Sequence, residues 1–183
     1  SRRGIGSSSQ PDWKDPMHIP TVSAEFTKAW MEQALKSHLK GVEITKIIAA
    51  PFDNPGQTAD IITIRVEYNR DTRLPAKFIA KIAAQDESTM ENVVKPLDLY
   101  FKEYSFYHEA IEGIKYPNCY YSDFDPDSQH LVLLFEDISH LDSPSWKPSL
   151  QQVDTAVEKL AIFHARWWND ESLKTKPWLT AQS

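Results

Sequence analysis

The sequence predicts an α+β fold in which helices pack against an antiparallel sheet of about five strands. Three consecutive segments carry strand-like patterns of apolar and polar residues, and short turn-forming stretches connect them. Segments with apolar residues at helical spacing flank these strands, and two more strands and a long helix follow. This order is typical of an antiparallel sheet with a helix against one face.

The first helix is predicted to run from Ser23 to about Leu39. The Ser23 hydroxyl can accept from the first free backbone N–H groups, and Gly41 is a suitable end. The residues 1–12 lack an initiator Met and the apolar centre of a signal peptide, so we expect a flexible tail or a remnant of cloning. The apolar face of the helix comprises Phe26, Trp30, Ala34 and Leu35.

Three strands and an inner helix follow in the sequence. The strands are predicted at 42–50, 60–69 and 76–84, with an Asp-Asn-Pro-Gly turn after the first. The helix is predicted at 97–112, and Gly113 ends it. Its stripe of large side chains comprises Tyr100, Tyr104, Tyr107 and Ile111.

Two strands and a long helix complete the pattern. A short strand at 118–122 and an apolar strand at 130–135 are separated by a turn rich in Asp. Ser149 and Gln152 have the spacing of a capping box, in which each side chain bonds to the other's backbone, so a helix begins there. Its predicted apolar face comprises Val153, Ala156, Val157, Leu160, Ala161, His164 and Trp168.

Composition and charge exclude several classes of protein. The 183 residues carry a formal net charge of -6, and an acidic excess argues against a general binder of nucleic acid or of anionic membranes. The apolar share of 41% is ordinary for a globular domain, and no apolar run approaches a membrane span. Cys119 is the only cysteine, which excludes an intramolecular disulfide. We expect a cytoplasmic protein, and its oligomeric state stays open.

Lys81 and Glu103 occupy positions that are unusual for charged residues. Lys81 lies in the middle of the third predicted strand with apolar residues on both sides, so it needs a solvated face or a carboxylate partner. Glu103 lies beside the aromatic stripe of the inner helix, either at its edge or directed inward. Glu109, six residues later, is rotated about 120° away and is the poorer candidate for an inward carboxylate.

A strand lysine paired with a helix glutamate, ahead of an apolar strand with an acidic end, is the arrangement of kinases. Further segments of the sequence resemble one group of kinases, and they are Phe101–Tyr107, Pro117, Leu131–Ile138 and Leu160–Trp168. Together with the Trp178-Leu179 pair, they make the sequence over roughly residues 22–180 resemble the aminoglycoside phosphotransferase and ecdysteroid kinase-like superfamily. Choline kinases are more distant relatives of that group.

This resemblance implies the N-terminal lobe of a protein-kinase-like fold, which binds ATP for transfer of its γ-phosphate to a hydroxyl of a small molecule. By position, Lys81 matches the phosphate-binding lysine and Glu103 its ion-pair partner. The implied organisation is a tail at 1–12, the lobe at 13–135, a hinge and linker at 136–148, and the beginning of a helical second lobe at 149–183.

The resemblance also implies which residues bind adenine. Ile79 would pack on the adenine face, and Phe135 would line the pocket at the gatekeeper position. The backbone C=O of Glu136 and the backbone N–H of Ile138 would bond to the edge of the ring. The loop after the first strand departs from a Gly-x-Gly-x-x-Gly pattern, and its candidate phosphate contacts are Gln57 and Thr58.

The sequence contains no match to the family's catalytic loop, a His-Gly-Asp-type segment followed by an Asn, or to its metal-binding Asp motif. We expect these, and with them the Mg²⁺ ligands, after Ser183, so the chain by itself is expected not to transfer phosphate. Aminoglycoside, choline, sugar and ecdysteroid-like acceptors all stay open. The alternative is a non-catalytic, pseudokinase-like scaffold or a partner-binding α+β module.

Several other residues resemble functional sites but have simpler interpretations. The segment from Asp123 to Ser128 resembles the start of a calcium loop, but Ser128 and Leu134 stand where an EF-hand needs Gly and Glu, so we expect a hairpin turn. We expect His164 to be a buried structural residue. Packing in the core or between lobes is expected of Cys119, Trp167 and Trp168.

Overall fold

The computed structural model describes residues 17–52, 56–109, 115–141 and 147–179. Within them, one sheet is formed by β1 (Ile44–Pro51), β2 (Ala59–Tyr68), β3 (Lys77–Ala83), β4 (Cys119–Asp125) and β5 (His130–Glu136). The strand order is β1-β2-β3-β5-β4, with every neighbouring pair antiparallel. The helices are α1 (Lys28–Ala34), α2 (Lys36–Leu39), α3 (Glu87–Thr89), α4 (Leu99–His108) and α5 (Leu150–Arg166). The α+β class with a five-stranded antiparallel sheet is confirmed.

Side-chain alternation gives the sheet two different faces. On one face, Phe78, Ala80 and Ile82 of β3 are fully buried in a core built with the N-terminal helices. Those helices contribute Phe26, Trp30, Met31, Ala34 and Leu35. On the other face, a second core forms around Tyr100 of α4, with Ala83 of β3 and Leu131, Leu133 and Val94. The helix α4 therefore covers only part of the face that carries the odd-numbered residues of β3.

The helix predicted from Ser23 to Leu39 is wrong at its start. The helix α1 begins one residue after Thr27, because the Thr27 hydroxyl accepts a hydrogen bond from the Trp30 N–H at 3.2 Å. Ser23 lies in a short 3₁₀ turn instead. The predicted end is confirmed, since α2 stops at Leu39 and Gly41 has a φ of 83°, which glycine adopts at little cost.

The helix α4 is fixed to the sheet by the phenol of Tyr100. This hydroxyl accepts a hydrogen bond from the backbone N–H of Ala84 at 2.8 Å and donates one to the backbone C=O of Thr58 at 2.7 Å. Asp98, which precedes the helix, has a φ of 50°, and the helix therefore begins at Leu99 rather than at 97. One side chain thus joins α4 to the end of β3 and to the loop before β2.

The hairpin between β4 and β5 is confirmed, although its turn is shorter than predicted. The strand β4 continues through Asp125, so residues 123–125 are strand and not turn. The carboxylate of Asp125 then accepts hydrogen bonds from the Asp127 N–H at 3.0 Å and the Ser128 hydroxyl at 2.6 Å. Predictions that lie outside the described residues concern residues 1–12, the end of the inner helix at Ile111 and Gly113, and 142–146 in the linker.

The helix α5 has the predicted start but not the predicted burial. Ser149 and Gln152 form the capping box, with backbone-to-side-chain distances of 2.8 and 3.3 Å. The apolar face is exposed, however, with Val157 at 59%. The prediction that His164 is buried is wrong, since it is exposed among the described residues. Trp168, expected in the core or between lobes, is also exposed and lies in no core of the described residues, while packing between lobes stays a prediction. Helical spacing shows which face is apolar but not what covers it. None of the described helices is long and apolar enough to cross a membrane.

We predict that Tyr100→Phe destabilises the protein by about 1–3 kcal/mol, because the partly buried N–H of Ala84 and C=O of Thr58 each lose a partner. Tyr107→Phe is the control on the same helix, and its effect should stay within about 0.5 kcal/mol. Urea denaturation measures both. Equal stabilities of the two variants would show that the hydroxyl of Tyr100 does not join these elements.

Candidate functional site

Lys81 lies at the centre of the sheet, on the face that α4 partly covers. In the strand register it stands between Ile61 of β2 and Leu133 of β5. Its neighbours Ala80 and Ile82 point into the first core, so alternation directs Lys81 to the opposite face. Its side chain is 23% exposed, which leaves the ammonium close to the surface while its stem is covered.

Glu103 reaches Lys81 from α4, as the sequence predicts. The Nζ of Lys81 lies 2.8 Å from Oε1 and 2.6 Å from Oε2 of Glu103, so both carboxylate oxygens accept from one ammonium. The side chain of Glu103 is 27% exposed. Its charge also acts inside the helix–sheet layer, where burial and then Glu103 raise the pKa of Tyr107 to about 12. Both side chains of the pair are therefore largely covered but still reach solvent.

The helix α4 is linked to Phe135 by an aromatic contact. The rings of Tyr107 and Phe135 meet edge to face, with centroids 4.7 Å apart. Phe135 is paired in register with Ile79 of β3 and Cys119 of β4. Cys119 is half-buried, as expected of a packing residue, and burial raises the pKa of its thiol to about 11. The predicted gatekeeper position is thus in contact with the helix that carries Glu103.

An open apolar strip crosses this face of the sheet beside the ion pair. Ile79 and Phe135 form its centre and are both partly exposed. The register adds Ile61 of β2, next to Lys81. Ile48 of β1 lies on the same face at the outer end of the strip, 51% exposed, but Arg65 stands opposite it and Thr63 stands opposite Ile79. The sequence analysis missed Ile48 and Ile61. Their alternation was visible in the sequence, but their neighbours across the sheet were not.

The segment after β5 is held in place by side chains. The carboxylate of Asp137 pairs with Lys77 at 3.0 Å and accepts from the Ser139 N–H at 3.0 Å and the Ser139 hydroxyl at 2.9 Å. Burial raises the pKa of Asp137, but these hydrogen bonds outweigh it and the pKa lies below its ordinary value. The backbone C=O of Ile138 accepts from Leu141, whereas no described residue accepts from the Ile138 N–H.

Glu136 ties the same segment to the start of β4. Its backbone N–H donates to the C=O of Asn118 at 3.0 Å, and its side-chain Oε1 accepts from the Asn118 N–H at 2.9 Å. The side chain therefore has a structural use, while the role implied by the resemblance concerns only the backbone C=O.

The loop between β1 and β2 is described only at its end, since 53–55 lie outside the described residues. Gly56 is required there, because a Cβ would meet the backbone oxygen of Ala59 at 2.6 Å. Gln57 is exposed, and Thr58 has its C=O bonded to Tyr100. The phosphate contacts of Gln57 and Thr58 stay predictions.

No family model matches the chain, and no curated protein matches it. Among the described residues, no group of three or more His, Cys, Asp or Glu side chains is placed to hold a metal ion. The site offers one paired ammonium, an apolar strip beside it and a backbone donor beyond that strip.

We predict a favourable coupling of about 0.5–1.5 kcal/mol between Lys81 and Glu103 in a double-mutant cycle of Lys81→Met and Glu103→Gln. The control cycle uses the exposed pair of Lys46 and Glu67, 3.3 Å apart on β1 and β2. Its coupling should be below about 0.5 kcal/mol, because water screens it. Urea denaturation of the four variants in each cycle gives both values, and equal couplings would contradict the shielding of the Lys81 pair.

Proposed function

We propose that this chain is the ATP-binding lobe of a small-molecule phosphotransferase, an enzyme that transfers the γ-phosphate of ATP to a hydroxyl. The observation that carries the proposal is the ion pair between Lys81 and Glu103 at the edge of an open apolar strip. The five-stranded sheet with α4 across one face is compatible with the N-terminal lobe of a kinase-like fold.

The ion pair suits phosphate binding. The ammonium of Lys81 has three donors, and the carboxylate of Glu103 accepts from it on the side of α4. A phosphate oxygen that approaches from the open side would complete the contacts of the ammonium. Glu103 would act by orienting Lys81, and Lys81 would act by placing the phosphates and offsetting their charge.

The apolar strip suits a purine base. Ile79 and Phe135 present partly exposed apolar surface next to Lys81, and Ile61 extends it onto β2. A flat ring that lies on this strip would remove the exposed apolar surface of Ile79 and of its neighbours from water. The N–H of Ile138, which donates to no described residue, would then donate to a ring nitrogen, and the C=O of Glu136 would accept from an exocyclic amine.

A non-catalytic module with the same fold is the alternative. The loop between β1 and β2 favours it, since Gly56 is the only glycine from Phe52 to Asp60 and a phosphate-binding loop commonly uses several. The two candidates differ in nucleotide binding, which a scaffold does not require.

We predict that Lys81→Met weakens ATP binding by about tenfold or more, since a charged hydrogen bond contributes ~1.5–3 kcal/mol. Adenosine binding should change little, because adenosine has no phosphate for Lys81 to contact. Isothermal titration calorimetry with both ligands gives the two affinities. Lys46→Met is the matched control, since it removes a cation from β1 about 20 Å further along the sheet.

An equal loss of ATP affinity in the Lys46→Met and Lys81→Met variants would attribute binding to general charge and contradict the site. The absence of ATP binding in the unsubstituted chain, with the fold intact by circular dichroism, would favour the scaffold alternative.

We predict that Ile79→Asp lowers the affinity for adenosine and for ATP by a similar factor, because a carboxylate would be desolvated beneath the base. Ile48→Asp is the control at the outer end of the strip and should have the smaller effect. In a ¹⁵N NMR titration with adenosine, the amide signal of Ile138 should move most among the residues after β5. A titration that leaves this signal unmoved would remove the proposed hydrogen bond to the base.

A further inference from the structure

The far end of α4 is held by a segment that follows α5 in the sequence. The indole Nε1 of Trp178 donates to Oε1 of Glu109 at 2.6 Å, and the ammonium of Lys176 contacts Oε2 of the same carboxylate. Trp178 is only 8% exposed, so its ring is packed and not merely adjacent. Glu109 caps α4, with its backbone N–H bonded to the C=O of Ser105. We call Glu109, Lys176 and Trp178 the α4 clamp.

The charges of the α4 clamp are consistent with a firm contact. Burial raises the pKa of Glu109, but the hydrogen bonds from Lys176 and Trp178, followed by the charges of Lys176 and His108, outweigh it and leave the pKa below its ordinary value. The carboxylate is therefore charged at neutral pH and accepts from two donors on its two oxygens.

The position of the clamp on α4 gives it a consequence for the ion pair. Glu109, the C-cap of α4, lies six residues after Glu103, about 9 Å further along the helix axis. Tyr100 holds the other end of the same helix to β3 and to the loop before β2. Glu103 thus lies between two attachments, and the loss of one of them leaves the aromatic packing and the other attachment to hold α4 against Lys81.

We propose that Glu109 is a positioning residue, through which the segment around Lys176 and Trp178 keeps Glu103 in contact with Lys81. The relevance of this contact to nucleotides depends on the proposed function, but the mechanical link does not. A change that moves this segment would loosen the ion pair without touching Lys81, Glu103 or the apolar strip. The segment is therefore placed to adjust nucleotide affinity from a distance.

The test measures the state of Lys81 without any nucleotide. Dilute acetic anhydride modifies amines, and mass spectrometry gives the modification rate of Lys81 relative to that of Lys46 in the same sample. The variant Glu103→Gln shows the rate when the carboxylate partner is lost. We expect Glu109→Gln and Trp178→Phe each to raise the relative rate at Lys81 by about threefold. A change of this size corresponds to a weak energetic coupling between residues in contact.

Lys174→Met is the matched control. It breaks an exposed pair with Glu171, at 2.6 Å, in the same segment but without a partner on α4. Its relative rate at Lys81 should be that of the unsubstituted chain. Circular dichroism and thermal unfolding verify that each variant is folded at the assay temperature, so that a general loss of structure is not mistaken for release of α4.

The outcomes separate the two proposals. A relative rate at Lys81 that stays unchanged in Glu109→Gln and Trp178→Phe, with the indole N–H signal of Trp178 shifted in the ¹⁵N NMR spectrum of Glu109→Gln, would overturn the positioning role. A raised rate in a chain that binds no ATP would support the clamp and contradict the proposed function. If the chain binds ATP, both clamp variants should weaken ATP binding by a factor similar to the rise in the modification rate of Lys81. An unchanged ATP affinity would contradict the link between the clamp and the nucleotide site.

Discussion

The need to pair the ammonium of Lys81 governs the arrangement of this site. A lysine in the central strand of a sheet, on a face that is partly covered, costs free energy unless a carboxylate reaches it. The strands beside β3 place Ile61 and Leu133 next to Lys81, so neither supplies that carboxylate. The partner comes from α4, which must therefore lie across the sheet at one height and one rotation, with Glu103 facing inward.

The rest of the second layer is built around that requirement. Tyr100 attaches one end of α4 to the strands, and near the other end Tyr107 packs on Phe135 and Glu109 contacts Trp178. The aromatic residues of α4 fill the space between helix and sheet, so that the helix cannot turn without repacking them. On the opposite face, the core around Phe78 keeps the sheet fixed beneath these contacts.

Local patterns predicted the parts of this structure that depend on local chemistry. The apolar run on both sides placed Lys81 on a strand, and helical spacing placed Glu103 beside the aromatic stripe. The pairing of these two residues, 22 positions apart, was implied by their kinase-like arrangement rather than by either local pattern. The capping box at Ser149 was predicted because both of its partners lie within one turn. The start of the first helix was missed, because Ser23 and Thr27 are both acceptable caps, and Ser23 lies in a 3₁₀ turn while Thr27 caps the helix.

Contacts between distant segments were not predictable in the same way. The clamp joins residues 67 and 69 positions apart, and neither Lys176 nor Trp178 has a neighbour in sequence that indicates Glu109. The exposure of His164 and Trp168 was missed for a related reason, since an apolar stripe does not reveal whether another segment covers it. Ile48 and Ile61 became part of the site only once the strand register was known.

The most direct test of a nucleotide site at Lys81 is covalent labelling with an adenosine analogue that carries a sulfonyl fluoride in place of the phosphates. The amine of Lys81 would displace fluoride and form a sulfonamide, and peptide mapping locates the modified residue. The account predicts that Lys81 is the principal labelled lysine and that ATP prevents the reaction. Labelling spread over exposed lysines such as Lys46, or labelling of Lys81 that ATP does not reduce, would contradict it.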